Sequence, residues 1–171
     1  MHEELKRRAT FDELTGCHNR ASIVAALEEH VADRRRNAER AVMFADLDAF
    51  KAVNDRLGHA AGDELLRRVA RRLLDTVRDT DLVGRIGGDE FLVVCPDIGG
   101  PEAALRLAER IAHAIHDAQG AERIECRVSI GVAWSAGSGT SADALVAMAD
   151  RAMYESKRLH TDKPTLAPPN Y

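Results

Sequence analysis

RIGGDEF, residues Arg85–Phe91, sits in the middle of the chain: two glycines run straight into two acids, and an apolar stretch follows. The flanks DLVGRI and EFLVVCP read as strands separated by the glycines, which is a hairpin signal. Pro96 and the Gly99-Gly100-Pro101 break end the second arm. Acids at such a turn can be a solvated hairpin tip. They can also be metal ligands, set where a phosphate can approach the backbone.

Upstream, AVMFADLD (41–48) reads as a buried strand that breaks into acids, and Asp46 interrupts a strongly apolar run. Asp48 fits an ordinary strand-end acid. The following stretch carries Leu65, Leu66, Val69, Leu73, Leu74 and Val77 at helical spacing, with its Arg pairs on the solvated face. Nearer the N-terminus, Asn19 is placed to cap a helix through ASIVAALEEHVADRRR, whose stripe is Ile23, Ala26, Leu27 and Val31. The Arg34-Arg35-Arg36 run ends it as a solvated face. Downstream come a helix over 102–118, an alternating strand IECRVSIGVAWS, and a final amphipathic helix capped by Ser141. The pair His113 and His116 reads as solvated helix surface. The order helix, strand, helix, hairpin, helix, strand, helix predicts an α/β sandwich, one mixed sheet with helices packed over it.

In a strand–helix–strand unit a later strand commonly lies beside the first. The end of AVMFADLD then faces the hairpin turn and gathers Asp46, Asp48, Asp89 and Glu90. Carboxylates that close repel one another and raise each other's pKa, a penalty that a divalent cation removes. Oxygen-only ligands select a hard ion, Mg²⁺ or Mn²⁺. Gly87 and Gly88 keep side chains away from the ion. Strand alternation turns Asp89 and Glu90 apart unless the turn bends them.

Composition narrows the partners. The chain has 171 residues, enough for one domain, and is 45% hydrophobic, enough for a core. With 24 basic and 28 acidic residues the net charge is −4, which supports neither a nucleic-acid coat nor an anionic-membrane binder. An anionic ligand must be held by local cations, a metal or backbone N–H groups. Cys17, Cys95 and Cys126 are odd in number and far apart, which fits a reducing cytoplasm and core packing. The opening MHEELKRRAT lacks the apolar stretch of a signal peptide, and no apolar run reaches membrane-span length.

Six blocks appear in order: DELTGCHNR (12–20), DLDAFKAVND (46–55), GHAAGDELL (58–66), RIGGDEF (85–91), VSIGVA (128–133) and ADRAMYESK (149–157). Together they resemble the GGDEF domain of bacterial diguanylate cyclases over about residues 10–160. The resemblance implies a palm-like α/β fold similar to adenylyl cyclase catalytic domains, with a central mixed sheet of about five strands flanked by helices. It implies a domain at 10–162. The charged, helix-compatible opening (1–9) reads as the last turns of an upstream signalling helix or as an artificial end, and the Pro-rich tail TDKPTLAPPNY reads as disordered from residue 163 to 171. The implied reaction joins two GTP molecules into cyclic di-GMP and releases two pyrophosphates.

The implied roles follow residue by residue. Asp46, the Leu47 carbonyl and Asp89 hold two Mg²⁺ (or Mn²⁺) ions, with Glu90 assisting as ligand or by orienting groups. Asp89 is also the proton acceptor, and Lys51 meets the triphosphate. Asn54 and Asp63 read guanine, since a carboxylate accepts from N1–H and N2–H₂ and an amide donates to the ring edge. His59 lies near the nucleotide. Lys157 serves a phosphate, but His160-Thr161 stands where the family usually carries Gly-Arg, leaving Arg158 or Lys163 as substitutes for the second cation. Arg78 and Asp81 match the R-x-x-D motif that binds the product and feeds back on the rate. Two domains must meet as a homodimer for each 3′-hydroxyl to reach the other α-phosphate, and an upstream sensor is expected. The rival expectation is a non-catalytic receptor for GTP or cyclic di-GMP.

Overall fold

The computed structural model describes residues 1–32, 39–117, 126–137 and 139–169. The Arg34–Arg36 run, Ala118 and the first two residues of IECRVSIGVAWS lie outside them. The elements are α1 His2–Thr10, α2 Arg20–Ala32, β1 Arg40–Asp48, α3 Phe50–Leu57, α4 His59–Thr76, β2 Leu82–Arg85, β3 Glu90–Pro96, α5 Pro101–His116, β4 Arg127–Ser135, α6 Ala142–Arg158 and β5 Thr165–Leu166.

β1 is the middle strand because it can be buried on both faces. Every residue from Arg40 to Ala45 is buried, as are Asp46 and Leu47. The sheet order is β2-β3-β1-β4-β5. β1 runs antiparallel to β3 and β4, β2 and β3 form the hairpin, and β4 and β5 pair in parallel, so the sheet is mixed. Ala41, Met43, Ala45 and Leu47 face α4 and α5, where Leu66, Val69, Leu73, Leu107 and Ile111 pack. Val42 and Phe44 face α2 and α6, against Ile23, Leu27, Leu145 and Met153. Each such side chain taken from water contributes about 1.5–3 kcal/mol.

Local signals act as the sequence suggests. The Ser22 N–H donates to Asn19 Oδ1 at 2.9 Å, and the Ala144 N–H to Ser141 Oγ at 3.1 Å, so both caps form. The three cysteines are buried and free. Burial pushes the Cys17 thiol up to about 11 and the Cys126 thiol up to about 12. Helix 50–76 is broken at Gly58, whose φ of 89° separates α3 from α4. The expectation of a disordered tail from residue 163 is corrected within the described residues: Thr165–Leu166 pair in parallel with Gly131–Val132. The Ala167 N–H donates to the Val132 carbonyl at 2.7 Å. The outer edge of β4 otherwise exposes unpaired backbone groups. A two-residue strand bracketed by Pro164 and Pro168 can cover that edge, because proline is tolerated at edges.

Candidate active site

Strand register assembles the acids. Asp46 lies opposite Glu90 on one side and Ser129 on the other, while Asp48 lies opposite Arg127. The Leu47 N–H donates to the Asp89 carbonyl at 3.1 Å, which ties the end of β1 to the turn. Ser129 Oγ donates to both Asp48 oxygens, at 2.9 and 3.0 Å. Lys157 Nζ, from the last turn of α6, donates to Asp46 Oδ2 at 2.9 Å and lies 4.0 Å from Asp48 Oδ1. The other Asp46 oxygen, Oδ1, is buried with no hydrogen-bond partner.

Asp89 stands against Asp46. Burial pushes its carboxyl up, and the neighbouring Asp46 charge pushes the same way. Glu90 is also pushed up, first by burial, then by Asp46, Asp89 and Asp150, with Arg20 opposing. Burial raises Asp48 too, against the Ser129 bond and Lys157. Asp89 and Glu90 both reach Asp46 because β3 starts at Glu90, and Asp89 sits in the bend before it. Alternation therefore binds only one of them.

Two arginines that the sequence reading did not single out fix this bend. Arg85 Nη2 donates to the Gly88 carbonyl at 2.8 Å and its Nε to the Gly87 carbonyl at 3.2 Å. Its Nη1 meets Asp12 at 3.3 Å. Arg20 Nη1 donates to the Ile86 carbonyl at 3.2 Å. An arginine immediately before the glycines was the available signal. A Cβ at Gly88 would enter open space, whereas one at Gly87 would come within 2.5 Å of Glu90 Oε2.

The site fits a hard cation in part. Among the described residues no group of three or more His, Cys, Asp or Glu side chains is gathered that could hold a metal. Asp46 and Asp89 supply two carboxylates, and the orphaned Asp46 Oδ1 is an unsatisfied anionic acceptor of the kind a cation compensates. Further oxygens can come from a backbone carbonyl such as that of Leu47 and from ligand phosphates, as Mg²⁺ commonly uses.

The α3–α4 corner holds the other predicted residues. Lys51 is exposed in the first turn of α3, and His59 and Asp63 are exposed in the first two turns of α4. Asn54 is half-buried, with Oδ1 buried and unpartnered. A Cβ at Gly62 would take the place of that oxygen, so glycine there lets the Asn54 amide lie against α4. After Lys157, Arg158 is spent on Glu155 at 3.0 Å. Lys163 lines a cavity of about 480 Å³ with His113, His116 and Arg127. His113 and His116 are exposed, as read.

Arg78 and Asp81 close on each other. Nη2 of Arg78 lies 2.6 Å from Asp81 Oδ1, and the Arg78 N–H donates to Oδ2 at 2.9 Å. The guanidinium also donates to the carbonyls of Pro96 at 2.8 Å and Asp97 at 3.2 Å. The Asp81 side chain is fully buried, while that of Arg78 is 43% exposed.

Known proteins resemble this chain in sequence and fold. Residues 9–163 match the family described as "Diguanylate cyclase, GGDEF domain". The chain is 39% identical over 155 residues to the response regulator PleD of Caulobacter vibrioides, covering 87% of this chain and 34% of PleD. It is 37% identical over 158 residues to the diguanylate cyclase TpbB of Pseudomonas aeruginosa, covering 90% of this chain and 36% of TpbB. It therefore spans about a third of the length of these relatives. The coiled coil and GGDEF domain of DgcB from Caulobacter crescentus, solved in complex with c-di-GMP, superposes with a TM-score of 0.90. That match has 27% identity and covers 97% of this chain and 90% of DgcB's. A family match over most of its length places the chain in the GGDEF family of diguanylate cyclase domains.

Proposed function

We propose that this chain is the catalytic domain of a diguanylate cyclase, which condenses two GTP molecules into cyclic di-GMP and two pyrophosphates. The observation that carries the reading is Asp46, buried at the end of β1 with one oxygen unpartnered and Asp89 against it. When bound there with the Leu47 carbonyl, two Mg²⁺ or Mn²⁺ ions would polarise the α-phosphate and make the 3′-hydroxyl easier to deprotonate. Asp89 takes the proton of that hydroxyl, and its raised proton affinity suits a general base. Each 3′-oxygen attacks the α-phosphorus of the other nucleotide, and the bond to pyrophosphate breaks. Glu90 orients groups beside Asp89. Lys51 and Lys157 meet the triphosphate, and Asn54 and Asp63 read guanine beside His59.

Because each domain holds one GTP, the working unit is a homodimer. α1, which buries none of its residues, suits attachment to an upstream sensor. Cyclic di-GMP binding at Arg78 and Asp81 would regulate the rate, with Arg78 giving up the Pro96 and Asp97 carbonyls to reach the ligand.

The test is incubation of concentrated domain with GTP and Mg²⁺, with chromatographic separation of the nucleotides. Wild type yields cyclic di-GMP, and Asp89→Ala yields at least ~100-fold less, the usual scale for a lost acid–base group. No product from wild type, alongside tight cyclic di-GMP binding, would convert the reading to a receptor. Cyclic di-GMP added to the same assay lowers the initial rate; a rate indifferent to it removes the feedback site.

A further inference from the structure

The Lys157 ammonium reaches two carboxylates at the end of β1. It sits 2.9 Å from Asp46 Oδ2 and 4.0 Å from Asp48 Oδ1. Those two carboxylates share a strand face with Glu90 opposite, and Asp89 abuts Asp46. A site of this charge without a cation is self-repelling, and Lys157 relieves it from within the chain.

The two partners differ in freedom. The Lys157 side chain is 46% exposed and that of Asp46 only 12%. Asp46 is fixed in the middle strand by its pairing with Glu90 and Ser129. The lysine is a flexible four-carbon stem near the end of a helix and can leave without disturbing the core. The helix itself stays, because α6 lies close on β4 over Gly131, where a Cβ would meet the backbone of Ala149 and Met153.

We propose that Lys157 is a placeholder cation: in the ligand-free domain its ammonium holds Asp46 in place of the divalent ion, and it exchanges that carboxylate for the nucleotide's phosphates when GTP and metal enter together. This rests on the cyclase reading above. The ammonium competes with the metal for Asp46, so metal alone binds weakly. GTP supplies the ammonium with another anion, so nucleotide and metal bind cooperatively. A lysine that served only as a phosphate ligand would leave nucleotide-free metal affinity untouched.

The probe is Mn²⁺ alone, titrated into nucleotide-free protein and followed by the loss of the aqueous Mn²⁺ electron paramagnetic resonance signal. Lys157→Met and Lys157→Gln, both helix-compatible, are compared with wild type after their circular dichroism confirms folding. Each binds Mn²⁺ roughly fivefold more tightly than wild type, the upper scale of a solvent-exposed ion pair. Lys157→Arg, which keeps the cation, binds as weakly as wild type. Adding 3′-deoxy-GTP, which lacks the attacking hydroxyl, tightens Mn²⁺ in wild type more than in Lys157→Met and narrows the gap. Equal or weaker Mn²⁺ binding by Lys157→Met and Lys157→Gln overturns the placeholder. Failure of the cyclase reading looks different: no protein, with or without 3′-deoxy-GTP, binds Mn²⁺ in a manner that Asp46→Asn abolishes.

Discussion

Asp89 ionises against resistance. Burial and the Asp46 charge both raise its proton affinity above the ordinary carboxylate value of 3.8. In the unfolded chain those influences vanish. Between 3.8 and the raised folded value, the folded domain therefore binds more protons than the unfolded one, and stability falls as pH rises through that window. Above it the repulsion is fully present. Asp89→Asn should consequently raise the melting temperature of the ligand-free domain at pH 7 by about 2 °C, the scale of a solvent-screened repulsion in a chain of this length. The gain should fade as pH drops below 3.8, while cyclase activity is lost throughout. Scanning calorimetry at both pH values checks it; no gain at pH 7 would mean that Lys157 already cancels the repulsion. The same residue would then be costly to the fold and necessary to the chemistry, a common trade at active sites.

At the level of elements, the site depends on how closely α6 approaches β4. Gly131 is the contact point, and any Cβ there runs into helix backbone rather than a side chain that could turn aside. Gly131→Ala is therefore expected to destabilise the domain by about 1–3 kcal/mol, the usual penalty of overpacking. It should also carry Lys157 away from Asp46. Urea unfolding reads the first effect; an unchanged midpoint would show that α6 has slack. At the α3–α4 corner Gly62 meets a side chain instead: a Cβ there would displace the Asn54 amide, which can turn aside.

For the whole molecule, the acids sit at one end of the sheet, and every polar group invoked so far belongs to one copy. The proposed condensation across two copies would make the rate second order in domain at low concentration. Specific activity should rise in proportion to protein concentration over a dilution series until dimers saturate. A specific activity constant down to nanomolar protein would mean a persistent dimer or a reaction completed within one copy. The net charge of −4 is small enough that association is not opposed by strong like-charge repulsion.

Much of this was legible in the sequence because it is local. The hairpin at the glycines, the caps at Asn19 and Ser141 and the buried run of β1 are written in spacings of two to four residues. The order of six blocks was enough to indicate the family and the mixed sheet. Other features required contacts between residues far apart in the chain. Period-two alternation cannot say that Asp89 lies in a bend and joins Glu90 at Asp46. Composition cannot say that Lys157, 111 positions along, closes on Asp46. Pro-rich character argued against order at residues 165–166, yet an unpaired strand edge recruited them. Arg78 and Asp81 stand three positions apart in the sequence, but only the structure shows them paired, with the Asp81 side chain buried. Sequence determined which chemistry-bearing groups exist and in which elements; which of them touch was decided by strand register and helix docking, because burial and charge pairing act on three-dimensional neighbours.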